Sequence, residues 1–180
     1  MSSTQVRNQI DSFAACETPL GTIFVAYNDT GVSMVQWQVT EQQFIAQWRQ
    51  RFNGYLQSES PAPSWLDKNM TVEFTELGQA DWEFDLQSLT AFEQQVLHAT
   101  CTIPRGEVRT YGWVAAAIGN PKAVRAVGTA LGHNPIPLLI PCHRIVRSGG
   151  VVGHYSGGAG TPTKCALLER EGVNLATLKQ

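Results

Sequence analysis

The chain lacks what would place it in a membrane or outside the cell. No run reaches the roughly 18 consecutive apolar residues that a membrane-spanning helix needs. The stretch Met1–Asp11 is polar and has no apolar core of the kind a secretory signal carries. Its cysteines, Cys16, Cys101, Cys142 and Cys165, are widely and irregularly spaced, with no Cys-x-x-Cys pair. That spacing argues against a disulfide framework and leaves reduced thiols, one of which can be a nucleophile. The first half contains no histidine. The expected location is cytoplasmic, or nuclear if the source is eukaryotic.

A strongly basic composition is also missing: the net charge is −2. Its distribution reverses the implication. From Met1 to Ser88 there are 4 Lys/Arg against 11 Asp/Glu, a balance of −7, and from Leu89 to Gln180 there are 9 against 4, a balance of +5. All the histidines lie in the second half. An acidic half joined to a basic half is the pattern of a chain in which one module meets phosphates. With 180 residues, 43% hydrophobic and 16% charged, the chain can bury a core as one domain or two small ones. The expected division is 1–88 and 89–180.

In the first half, Thr22–Tyr27 and Val32–Trp37 are β-branched and aromatic around the turn-forming Asn28-Asp29-Thr30-Gly31, the pattern of a β-hairpin. Thr40 and Gln43 form a capping box ahead of Phe44, Ile45, Trp48 and Phe52 on one helical face. Ser58–Ser64 reads as a loop, and Val72–Phe74 as a further strand. This is a small α/β module without a catalytic constellation.

In the second half, Thr90 and Glu93 cap a helix with the stripe Phe92, Val96, Ala99, and Pro104-Arg105-Gly106 ends it. Thr110 caps a short helix from Tyr111 to Ile118. Asn120 and Pro121 then read as the N-cap and first position of a helix running to about Leu131, with Val124, Val127 and Leu131 facing inward. Helix, Gly-containing turn, helix is the helix-turn-helix outline. Lys122 and Arg125 fall on its outer face, and Ala123, Ala126, Gly128 and Ala130 are small enough for close approach to a groove or to another helix. Prolines 135, 137 and 141 predict a stiff, buried, extended segment ending at Cys142.

A thiol attacks as thiolate and needs a base or a positive field. His143 adjoins Cys142, Arg144 and Arg147 follow, and Glu171 is a candidate to orient the histidine. In an extended segment residues 142 and 143 point to opposite sides, so a turn or a bridging water would be needed between them.

Arg125-Ala126-Val127-Gly128, Asn134-Pro135, Ile140-Pro141-Cys142-His143-Arg144-Ile145-Val146, Tyr155-Ser156-Gly157-Gly158, Leu167-Leu168 and Glu171-Gly172 closely resemble the O6-alkylguanine-DNA alkyltransferases, the methylated-DNA–protein-cysteine methyltransferases. The resemblance covers Phe92 through Gly172. Thr18-Pro19-Leu20-Gly21 followed by a hairpin is similar, more loosely, to that family's N-terminal half. It implies an α/β ribonuclease-H-like N-terminal domain and a mainly α C-terminal domain with a winged-helix-like helix-turn-helix. Cys142 would be the alkyl acceptor, His143 its base through water, and Glu171 the group orienting His143. Asn134 would link the recognition helix to the active-site segment. Tyr111 would rotate the target nucleotide, and Arg125 would fill the gap left in the duplex. Lys122, Ala123 and Ala126 would meet DNA, and Tyr155 and Ser156 would line the base pocket, with backbone atoms of Cys142 and Ile145 holding the base edge. The implied partner is double-stranded DNA carrying O6-alkylguanine, bound through the minor groove by a monomer, with no cofactor, no metal, no membrane and no obligate protein partner. Cys165-Ala166 stands where the family commonly has Glu-Trp, and 157–164 is unusually rich in Gly and Pro. The residues alone leave three alternatives: a lesion-recognition protein without the chemistry, a cysteine hydrolase using Cys142 and His143, and a plain transcription factor.

Overall fold

A computed structural model describes residues 9–74 and 80–179. Most of the polar stretch Met1–Asp11 lies outside the described residues, and its last part, from Gln9, is already strand. The chain divides into two compact units, Met1–Ser88 and Leu89–Gln180. Among the described residues no helix is long and apolar enough to cross a membrane.

Unit 1 is a four-stranded sheet in the order β3-β2-β1-β4. β1 (Gln9–Thr18), β2 (Gly21–Asn28) and β3 (Gly31–Trp37) form an antiparallel meander, and β4 (Gly54–Ser58) lies parallel to β1. A parallel neighbour requires a crossover, and α1 (Glu41–Arg51) supplies it between β3 and β4. Thr40 and Gln43 cap α1 reciprocally, and Phe44, Trp48 and the C-cap Phe52 bury against Phe13, Phe24, Ala26 and Met34. Asp11 is buried in this core, but its carboxylate accepts from Asn28 Nδ2 at 3.0 Å, Ser33 Oγ at 2.8 Å and Trp48 Nε1 at 3.3 Å. Those bonds offset the desolvation of a buried charge. Val72–Phe74 is not a strand. It is the last turn of α2 (Ser64–Phe74), whose buried Leu66, Met70 and Phe74 repeat at helical spacing.

The β2–β3 turn also carries an edge contact. Val32 N donates to Glu83 O and Asp85 N to Val32 O, each at 2.8 Å. Gly31 has φ +138°, and a Cβ there would overlap the Glu83 carbonyl. Gly31→Ala is therefore expected to destabilise unit 1 by about 2 kcal/mol, read as a lower urea midpoint. An unchanged midpoint would show that the 83–85 segment shifts freely.

Unit 2 is mainly helical. α3 (Ala91–Cys101), α4 (Tyr111–Ala117) and α5 (Val124–Gly132) pack against one another. Thr90 and Glu93 cap α3 as a box, and its buried face is Val96, Leu97 and Thr100 rather than the expected stripe through Phe92 and Ala99. Thr110 Oγ1 accepts from Trp113 N to cap α4. α5 starts later than the sequence suggests: Ala123, not Asn120, is its N-cap, and it makes no side-chain cap bond. Residues 119–123 are turn, with Ala123 N bonded to Asn120 O at 2.9 Å. Val124 consequently faces out, 40% exposed, while Val127, Ala130 and Leu131 are buried. A short parallel pairing of β5 (Arg109–Thr110) with β6 (Ile145–Val146) ties the start of α4 to the chain just after Cys142.

Candidate active site

The segment from Asn134 to Cys142 is buried from Pro135 onward, but it is not extended. Ile140 N closes a turn onto Ile136 O at 2.9 Å, with Leu138 at φ +75°. Cys142–Arg144 then forms one turn of 3₁₀ helix, Arg144 N bonding Pro141 O at 2.9 Å. The prolines remove donors but do not forbid turns, so local i→i+3 and i→i+4 bonds take over. The alternation expected for residues 142 and 143 is therefore replaced by the rotation of a tight helix.

Asn134 organises this loop. Its Oδ1 accepts from Ile136 N at 2.9 Å, and its Nδ2 donates to Ile140 O and to Cys142 Sγ, each at 3.2 Å. An amide N–H aimed at sulfur favours the thiolate. Burial is the largest influence on the Cys142 thiol and pushes its pKa up; Asn134, the Lys164 charge and Tyr155 pull it back. The hydroxyl of buried Tyr155 has no partner in strict hydrogen-bond geometry, yet it lies close enough to Cys142 to act on the thiol. Burial, and then the thiol, raise the pKa of Tyr155 in turn.

His143 Nε2 lies 2.9 Å from Glu171 Oε1. Arg144 grips the same carboxylate with two bonds, Nε to Oε2 and Nη2 to Oε1, each at 2.8 Å, and donates Nη1 to Ile103 O at 2.7 Å. Burial raises the Glu171 pKa, but the bonds from His143 and Arg144 outweigh it and hold the carboxyl down at about 2. Glu171 is thus a carboxylate, and His143 Nε2 carries the proton between them. The other ring nitrogen, Nδ1, is buried and has no partner among the described residues. Glu171 caps α6 (Thr161–Arg170) at its C-terminus, where the helix dipole disfavours a negative charge. The Arg144 guanidinium, with two bonds to the carboxylate, makes that placement tenable.

A cleft of about 930 Å³ opens over the thiol. Cys142, Tyr111, Arg125, Tyr155 and Ser156 line it, as do Arg147 and His154. Gly128 faces the Tyr111 ring, which a Cβ there would meet at 3.8 Å, an ordinary van der Waals contact. Several expected residues fall elsewhere. Ile145 is fully buried and does not line the cleft; its carbonyl accepts from Lys164 Nζ at 2.5 Å. Lys122 is exposed in the turn before α5 rather than on the helix, Ala123 is the half-buried N-cap, and Ala126 is exposed on α5. Asn134, His143 and Glu171 stand outside the lining and act on it through Cys142 and one another.

Arg144 and Arg147 are the cations nearest the thiol in sequence. Arg144 is committed to Glu171, and Arg147 is exposed. The cation acting on the thiol is Lys164, 1% exposed on α6. Lys164, Leu167 and Leu168 are the buried residues of that helix, so the i, i+3, i+4 spacing was a signal for it.

Residues 91–173 match the family model for the 6-O-methylguanine DNA methyltransferase DNA-binding domain. The chain is 50% identical over 96 residues to a methylated-DNA–protein-cysteine methyltransferase of Mycobacterium bovis, a match covering 53% of this chain and 56% of that relative. The chain thus spans little more than half the length of that relative. It is 31% identical over 172 residues to a protein of the same name from Methanosarcina acetivorans, covering 89% of this chain and 97% of the relative. Among solved structures, Mycobacterium tuberculosis OGT in complex with DNA superposes with a TM-score of 0.72 at 30% identity, over 93% of this chain and 94% of that one. Such relatives share the mixed sheet with helices.

Proposed function

The chain belongs to the methylated-DNA–protein-cysteine methyltransferase family, and from that premise we propose that it repairs DNA by moving an alkyl group from O6 of a damaged guanine onto Sγ of Cys142. One observation carries the reading. The thiol lines a cleft that α4 and α5 also line, and the histidine next to it is anchored to a carboxylate, leaving Nδ1 open.

The alkylated oxygen lies on the paired face of guanine, out of reach from a groove. The nucleotide must therefore leave the stack, at a cost of a few kcal/mol. α4 and α5 act as a helix-turn-helix in the minor groove of double-stranded DNA. Tyr111 rotates the nucleotide, and the Arg125 guanidinium occupies the vacated place. Tyr155 and Ser156 flank the extruded base. His143 Nδ1, through a water, takes the thiol proton while Glu171 steadies the imidazolium. The S–C bond forms as the C–O6 bond breaks, the electron pair stays on guanine, and the proton taken up by His143 passes to that guanine. The product thioether is inert, so each molecule reacts once. The meander with a parallel fourth strand beside the first supports a ribonuclease-H-like reading of unit 1. The helix pair with its short β5–β6 pairing supports a winged-helix-like reading of unit 2.

Transfer of label from methyl-labelled duplex is expected to stop at one equivalent of protein. Continued turnover would instead favour a cysteine hydrolase. Arg125→Ala is expected to slow repair of duplex DNA about tenfold or more, matching the ~1–3 kcal/mol of a stacking contact, and to leave reaction with free O6-methylguanine base nearly unchanged. Equal slowing on both substrates would remove Arg125 from its stacking role.

A further inference from the structure

Lys164 is a buried lysine that the relay through His143 does not use. Of the two buried cations in unit 2, Arg144 is paired with Glu171, and Lys164 has no carboxylate partner among the described residues. Its Nζ is held on the carbonyl of Ile145, three residues after the thiol. α6, which carries Lys164, packs on the 3₁₀ turn of Cys142. The other titratable groups bearing on the thiol and on Lys164 are Tyr155, Tyr111 on α4, Cys101 on α3 and Cys165 beside Lys164. Glu171 is bonded to Arg144 and His143, and the exposed Arg125, Arg147 and His154 line the cleft over the thiol.

We propose that Lys164 is the counter-charge of the reacting thiolate: its ammonium, fixed on the Ile145 carbonyl, favours ionised Cys142 and touches neither DNA nor the alkyl group. This rests on the reading of Cys142 as alkyl acceptor, and it makes Lys164 a positioning residue. Burial drives the ammonium pKa down to about 8, while the Cys142 and Cys165 thiols pull it up. A charge so costly to bury is best retained when a negative sulfur faces it. The coupling is reciprocal. Once the sulfur becomes a neutral thioether, Lys164 loses its opposite charge and gives up its proton at lower pH.

The test is the pH profile of Cys142 carbamidomethylation by iodoacetamide, read on the Cys142 peptide by mass spectrometry in the full chain. Lys164→Met is expected to raise the midpoint by about one pH unit, a rate about tenfold lower below the midpoint. Lys164→Arg keeps the charge and is expected to stay near wild type. Affinity for undamaged duplex should not change in either. An unmoved midpoint in Lys164→Met overturns the proposal. If that variant does not fold, a ¹³C-lysine NMR titration replaces it. The Lys164 midpoint should fall in Cys142→Ala relative to wild type, and an unmoved midpoint overturns the proposal equally. Alkyl transfer from O6-methylguanine duplex, measured on the same wild-type protein, reports separately on the acceptor. Failure there with the pH shift intact sinks the acceptor reading and not the coupling.

Discussion

Cys142→Ser is expected to give a folded protein that binds duplex DNA and transfers no alkyl group, a rate loss of at least about 10³-fold. The substitution is nearly isosteric and keeps an acceptor for Asn134 Nδ2, so the loop around Ile136–Ile140 should survive. What disappears is nucleophilicity, because a hydroxyl is far harder to ionise than a thiol. No other cysteine rescues the reaction. Burial lifts the Cys16 thiol to about 12 and that of Cys101 to about 11, and neither they nor Cys165 line the cleft. A single-turnover assay with labelled duplex checks this. Transfer at the wild-type rate in the serine variant would move the acceptor elsewhere.

Glu171→Ala is expected to cost unit 2 about 3–5 kcal/mol and to stall the reaction as well. The carboxylate neutralises Arg144, only 7% exposed, and orients His143, 2% exposed. Removing it leaves a buried guanidinium without its opposite charge, the most damaging way to break a buried pair. Chemical denaturation reads the first effect, and single-turnover kinetics of the folded fraction reads the second. The pH dependence follows from the same carboxylate. Its folded pKa is about 2 against an ordinary 4.5, so its contribution is fully present above pH ~4.5. The contribution disappears as pH falls towards 2, and amounts to on the order of 3 kcal/mol. Glu171→Gln should therefore lower stability at pH 7 and flatten the acid limb between pH ~5 and ~2. A variant as stable as wild type at pH 7 would show that Arg144 has another partner to turn to.

The parts of this molecule that local rules govern could be read from the sequence. The β2–β3 hairpin and the capping boxes at Thr40 and Thr90 are where the residues put them, because turn and cap chemistry act within four residues. Strands β1 and β4 escaped notice. β1 buries Asp11 beside Phe13 and Ala14, so it shows no clean alternation, and β4 is mostly exposed at a sheet edge. The start of α5 differs from its sequence signal because Asn120 and Pro121 are good N-terminal residues that the chain spends on a turn instead. At the site, the grouping of Cys142, Tyr111, Arg125, Tyr155 and Ser156 around one cleft followed from resemblance rather than from spacing. Arg144 adjoins the thiol's segment in sequence, but a distant carboxylate claims it. Lys164 was passed over because a lysine within a polar run looks like surface until its helix is docked. For Arg144 and the cleft the deciding contacts span many residues of sequence, which local rules do not reach.

The most direct test is the intact mass of the protein after titration with duplex carrying O6-methylguanine, followed by peptide mapping. The account predicts that one molecule of protein gains one CH₂, on the sulfur at position 142, for each lesion that disappears. Complete loss of the lesion with that sulfur unmodified would contradict it.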